Sequence, residues 1–221
     1  MALSENTIRS SPKPRIETLS DLIFGLALSI GALSLLSKPP SNPAEIGSDI
    51  IQFGFSFLIL IFVWMRYTSI MSVLPMETRA TLFLNVVMLF LVSIEPYLFY
   101  LVSLFQHAAQ SQLIDYASVI YALDMTGLMA ILAFFTHELT IEEKKLIPPE
   151  LLSQHKSSRN ILFISAALFF LTAFPQFWSW KIQDMPIRFY LWFVPIVISW
   201  IRRAYETPPK ANQTPDTRGS V

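Results

Sequence analysis

The sequence predicts an all-α protein, a six-transmembrane-helix bundle with the N-terminus and C-terminus both cytoplasmic. Three observations carry that prediction. The 221-residue chain is 53% hydrophobic and only 14% charged, where a soluble domain carries about 25% charged residues, so part of its solvent has to be lipid. Six long apolar segments each approach or exceed the roughly 20 residues that cross the hydrocarbon of a bilayer. Lys and Arg, finally, divide very unevenly between the two sides that six crossings define.

Taken in order, residues 1–15 are polar, contain Pro12 and Pro14, and read as a short cytoplasmic arm. The first apolar segment, 16–37, runs into Lys38-Pro39-Pro40 rather than a small-residue cleavage site, so it is expected to stay as a helix rather than leave as a signal peptide. Five more segments follow, at 46–70, 79–104, 113–135, 160–177 and 186–201, with the last two the shortest. Breakers stand between them: Pro39, Pro40 and Pro43, then Pro75, then Pro148 and Pro149, then Pro175. Residues 206–221 have almost no apolar content and are expected to form a disordered cytoplasmic tail, which leaves 16–205 as the membrane domain.

Orientation follows from charge. Arg9, Lys13, Arg15, Arg66, Arg79, Lys144, Lys145, Lys156, Arg159, Arg202, Arg203, Lys210 and Arg218 fall on one side of the six-helix arrangement, and only Lys38, Lys181 and Arg188 on the other. Together these are all 16 Lys and Arg residues of the chain, and adding or removing one crossing scrambles the partition. The basic side is cytoplasmic.

Several functions are excluded on composition. Zero net charge with no basic block among aromatics argues against nucleic acid as a partner. The chain has no cysteine, hence no disulfide, thiolate metal site or cysteine nucleophile. His107, His137 and His155 fall near expected loops and form no metal-binding pair, so no metal or other cofactor is implied. No nucleophile with its base and no Gly-rich phosphate loop appears, so an enzyme is not expected. Trp178, Trp180 and Trp192 cluster at the outer end and Trp64 and Trp200 at inner ends, where interface anchoring accounts for them. No internal repeat is visible.

The first segment carries two neighbouring stripes at helical spacing. Leu26, Ile30 and Leu33 are spaced i, i+4, i+7 and form a large apolar stripe; Gly25, Ser29 and Ala32 form a small one that lets another helix approach closely. On spacing alone, the ordinary arrangement has the large stripe in lipid and the small one packed within the bundle. Arg15, Ser20 and Asp21 precede these stripes, and Ser20 and Asp21 suit the capping of a helix that starts there.

That same stretch, Arg15-Ile16-Glu17-Thr18-Leu19-Ser20-Asp21, resembles the Arg-x-x-x-Phe-Ser-Asp signature of the transmembrane protein 175 family, potassium channels of prokaryotic membranes and animal endolysosomes. Leu19 stands in the place of the Phe. Residues 84–97, with Asn85 near the start and Pro96 near the outer part, look like the family's third helix; Ser118 to Ala122 with Gly127-Leu128 is similar to its fourth. Trp64 is kept in the second helix, and Tyr67 stands where the family has a His.

The resemblance implies a potassium-permeable, potassium-favouring channel of the prokaryotic plasma membrane, a homo-oligomer of four six-helix units among membrane lipid, with potassium as its partner ion. It places the first helices around the pore and makes Leu26, Ile30 and Leu33 its constriction, with Ser29 as the polar layer that tunes selectivity. Such a ring can gate by dewetting, and it strips part of an ion's hydration, which favours potassium over the more strongly hydrated sodium. Arg15, Ser20 and Asp21 become an anchor for the pore helix. No Thr-Val-Gly-Tyr-Gly filter and no Arg ladder occurs, so conduction is expected to be leak-like.

Glu95 and Asp124 fit less well. Each is an ionisable group inside an apolar segment, and such groups are functional candidates by default. Counted along antiparallel helices they lie at similar depth, where they can share a proton or a cation. The ordinary arrangement hydrogen-bonds them to backbone opened by Pro96 or to nearby Ser and Thr. The alternative function they raise is a proton-coupled secondary transporter; a non-conducting scaffold is the third.

Overall fold

A computed structural model describes residues 12–36, 42–74, 78–106, 111–142, 146–182 and 185–205. Apolar runs with helical spacing give α1 (Pro12–Ser34), α2 (Pro43–Met71), α3 (Arg79–Gln106), α4 (Ser111–Leu139), α5 (Pro149–Thr172), the short α6 (Gln176–Ser179) and α7 (Ile187–Tyr205). Between α6 and α7, Lys181–Ile182 (β1) pairs antiparallel with Met185–Pro186 (β2) in a minimal ribbon. The helix ends have local causes. Asn42 accepts from the Glu45 amide at 3.0 Å ahead of Pro43 at the first helical position, and Thr78 Oγ1 accepts from the Thr81 amide at 3.1 Å before α3.

Cross-helix contacts give the directions. Ser20 meets Tyr67 and Gly31 lies near Phe53, so α1 and α2 run opposite ways. Ser56 to Glu95 and Tyr67 to Asn85 do the same for α2 and α3. Glu95 to Tyr121 and Leu91 to Gly127 do so for α3 and α4, Arg159 joins α5 to Thr140 at the end of α4, and Trp192 joins α7 to Thr172 of α5. Helices α1 to α4 therefore alternate in direction along the chain.

α4 is central and α1 peripheral: 61% of the apolar window of α4 is buried against 22% for α1 and for α2. Tyr121, Met125, Leu128, Leu132 and Phe135 are wholly buried along α4. On α5 the inward face is Leu162, Ser165, Ala166, Phe169 and Thr172, a helical repeat that faces the core.

Four helices are long and apolar enough to cross a membrane: Ile16–Leu33, Glu45–Met71, Arg79–Val102 and Gln112–Leu139. Among the described residues α5 and α7 fall short of that mark, where the sequence led to an expectation of six. The reason is in their ends. α5 begins at Pro149 rather than near Asn160, so its first half carries Gln154, Lys156 and Arg159, and α7 is flanked by Arg188 and by Arg202 and Arg203. The expected arm reaches α1 at Pro12; residues 1–11, the tail from 206 and His107 lie outside the described residues.

Candidate functional site

The site is α1, which has one face held and one face open. The held face repeats at helical spacing: Ser20, Phe24 and Ala27 are at most 1% exposed, and Gly31 continues the row. A side chain on Gly31 would meet Phe53 of α2 at 3.6 Å and Pro96 of α3 at 3.8 Å, ordinary contact distances that place this face of α1 against both helices. Phe24 stacks obliquely on Tyr67, with ring centroids 5.7 Å apart.

At the N-terminal end of this face is a polar chain. Tyr67 Oη donates to Asn85 Oδ1 at 2.8 Å and lies 2.7 Å from Ser20 Oγ, and all three residues are buried. With the single phenolic proton given to Asn85, the one Ser20 proton is shared between Tyr67 Oη and Ile16 O, the latter at 2.8 Å. One phenol thus joins α1, α2 and α3. The position where the resemblance led to an imidazole is filled by a group that can both accept and donate.

Asp21 points the other way around the helix and accepts from Trp64 Nε1 at 3.0 Å. The capping role expected of Ser20 and Asp21 does not hold. α1 begins at Pro12, so both residues lie about two turns inside it, where the amides already have partners. Their contacts instead fasten α1 to α2. The expected part of the Arg15 side chain lies outside the described residues.

The open face contains both sequence stripes. Leu26, Ile30 and Leu33 are 60%, 42% and 61% exposed, and Gly25, Ser29 and Ala32 are exposed beside them. Nothing lies within 4 Å of where a Gly25 side chain would begin. The small stripe is not packed within the bundle, which removes the ordinary arrangement in which only the large residues look outward. Ser29 Oγ donates to Gly25 O at 2.8 Å, so its oxygen keeps lone pairs free on that face.

Glu95 and Asp124 take different surroundings. Glu95 is fully buried, with Ser56 Oγ at 3.2 and 3.1 Å from its two oxygens and Tyr121 Oη at 3.4 Å. The expected hydroxyl partner is therefore a serine of α2, not backbone freed by Pro96. Asp124 is 4% exposed, and neither of its oxygens has a hydrogen-bond partner. The two carboxyls are not hydrogen-bonded to each other, and Tyr121, about one turn before Asp124 on α4, is the residue that reaches Glu95. Among the described residues no group of three or more His, Cys, Asp or Glu side chains could hold a metal ion.

Two features escaped the sequence. Arg188, fully buried, pairs with Asp115 Oδ1 at 2.8 Å and so ties α7 to α4. Trp192, expected at the interface, is 2% exposed, packs 4.7 Å from the Tyr121 ring and donates to Thr172 Oγ1 at 3.0 Å. The signal for the first was present: an arginine and an aspartate at the outer ends of two apolar segments.

Comparison with known proteins gives the same picture. Residues 15–96 match the family model described as endosomal/lysosomal potassium channel TMEM175. A protein of Marivirga tractuosa described as a potassium channel is 27% identical over 94 residues, which are 41% of this chain and only 37% of that relative's length. Among solved structures, a lysosomal potassium-selective channel TMEM175 homolog from Chamaesiphon minutus superposes with a TM-score of 0.59 at 18% identity, over 87% of this chain and 98% of that one. The potassium channel MtTMEM175, in a variant bound to a nanobody-MBP fusion protein, gives 0.60 at 18% identity, over 87% and 94% of the two chains. The resemblance to the transmembrane protein 175 family is thereby shown, in sequence from Arg15 of α1 to Pro96 of α3 and in fold over most of the chain.

Proposed function

We propose that the chain is one subunit of a potassium-permeable, potassium-favouring channel, assembled as a homotetramer with α1 of each subunit lining the pore. In this reading residues 16–205 are the channel domain and cross the membrane six times, with the arm and tail cytoplasmic and the plasma membrane of a prokaryote as the site of action. Leu26, Ile30 and Leu33 form a dry constriction, and Ser29 lends oxygen beside it. An ion passing such a ring loses part of its hydration, and the loss costs potassium less than sodium. Without a voltage-sensing ladder the conduction is leak-like.

The observation that carries this reading is the two-sided character of α1. Its Ser20, Phe24, Ala27 and Gly31 face is bound into the chain, while three branched aliphatic side chains and a serine stand exposed on the opposite face. A helix needs only one buried face to be held, and a pore needs the other one free.

The test is passive flux of potassium and of sodium through the purified full chain in liposomes. The reading expects flux down a potassium gradient that exceeds the sodium flux. Uptake that appears only with an imposed proton gradient would instead make the protein a secondary transporter.

A further inference from the structure

We propose that Glu95 of α3 and Asp124 of α4, with the hydroxyls of Ser56 and Tyr121, form an intramembrane site that binds one proton. The site uses residues that the conduction pathway on α1 does not.

Every polar atom of the cluster can be accounted for. Ser56 and Tyr121 both direct hydroxyls at Glu95, which suits one carboxylate held among O–H donors. Asp124 has the opposite surroundings. It is 4% exposed and both oxygens are buried with nothing donating to them, a condition that costs an ionised carboxylate far more than a neutral carboxylic acid. Two ionised carboxylates buried at 0% and 4% exposure require a counter-charge.

Among the described residues, neither Glu95 nor Asp124 has an ion-pair partner on the helices around them, and α5, packed on α4, turns Ser165, Phe169 and Thr172 inward. α2 offers the hydroxyl of Ser56. α1 approaches through Gly31, which faces Pro96. α4 brings Tyr121 and Asp124 themselves. α7 contributes Trp192 against Tyr121, and its Arg188 is engaged with Asp115, which lies about 13 Å along α4 from Asp124 at the usual helical rise. A metal ion is a poor occupant, since the two hydroxyl protons are already turned toward Glu95 and Asp124 alone is left to coordinate. A single proton answers the charge: bound on Asp124 it leaves a neutral carboxyl where no group donates to a carboxylate, and only one negative charge in the cluster.

The proposal rests on the reading of α3 and α4 as membrane-spanning, but its test requires no conduction, so it stands or falls separately from the channel. Infrared spectroscopy of the full chain in liposomes reads the C=O stretch of a protonated carboxyl directly. At neutral pH exposed Asp and Glu are ionised, since their ordinary values are near 4. The expected result is a carboxylic-acid band at neutral pH that shifts in D₂O, moves on labelling aspartate with ¹³C, and disappears in the Asp124→Asn, Glu95→Gln double variant. Labelling covers the case in which a variant does not fold, and Glu95→Gln alone keeps a carbonyl to accept from Ser56. Absence of the band in folded wild-type protein overturns the proposal, as does a band unchanged by both substitutions. Loss of the band when potassium replaces choline would also overturn it, by giving the site to a metal cation.

Discussion

Trp64 donates its indole N–H to Asp21 Oδ1 at 3.0 Å, about one turn along α2 from the place where Tyr67 meets Ser20. The two contacts leave adjacent residues of α1 and reach residues three apart on α2. They therefore fix both the height and the rotation of α1, and with them which side chains α1 turns away from the bundle.

Asp21→Ala and Trp64→Phe each delete the first contact. The bond is exposed in the subunit, and its net value is about 1 kcal/mol. Both substitutions are expected to change the rate of potassium flux and the yield of folded protein in the same direction, with the potassium-to-sodium ratio unchanged. A ratio altered in Asp21→Ala while the rate holds would assign Asp21 to selectivity instead of anchoring.

Tyr67→Phe keeps the ring against Phe24 and removes only the hydroxyl. Ser20 retains Ile16 O as acceptor, so the cost falls on Asn85 Oδ1, buried without its donor. Leaving such a group unsatisfied costs about 1–3 kcal/mol, and a lower thermal midpoint in detergent is the expected result. An unchanged midpoint would mean that water replaces the phenol and that the three-helix link is weaker than the geometry implies.

The Arg188 and Asp115 pair predicts an order of effects. Asp115→Asn leaves a buried guanidinium without its counter-ion, whereas Arg188→Met removes the charge and keeps apolar bulk. Breaking a fully buried pair by removing one partner costs about 3–5 kcal/mol, and replacement by apolar residues is often neutral. The Asp115 side chain is 31% exposed, which places Asp115→Asn below that range. The thermal midpoint should nevertheless fall further in Asp115→Asn than in Arg188→Met; the reverse order would show the pair to be structurally dispensable at the Asp115 end.

Much of this arrangement is legible in the residues. The stripes of α1 mark a helix with two kinds of surface, though not that both face outward, and Glu95 and Asp124 stand out because a charge in an apolar run has a high cost that something must offset. What the sequence hides is partnership. Ser56 is an unremarked polar residue in α2, because a serine can satisfy its hydroxyl on its own helix and so carries no signal of a cross-helix bond. Ser20 and Asp21 look like caps because the polar, proline-containing residues before them do not resemble a helix, yet α1 already begins at Pro12. Trp192 looks like an interface anchor from its neighbours in sequence, and only the approach of Tyr121 and Thr172 from other helices buries it. The polar start of α5 is hidden for the same reason, since apolar content marks the part of a helix in lipid and not where the helix begins.

The central claim is that the open face of α1 is the wall of the pore, and it is tested most directly by potassium and sodium flux through Ile30→Asn beside wild type and Phe163→Asn. Ile30 and Phe163 are 42% and 47% exposed, on α1 and α5 respectively, so both variants place an amide on an exposed apolar surface and differ in which one. The expected result is potassium-favouring flux in wild type and in Phe163→Asn, and a higher rate with reduced selectivity in Ile30→Asn, because an amide ring wets the constriction. Equal flux and equal selectivity in all three proteins would contradict the claim and move the ion pathway away from α1.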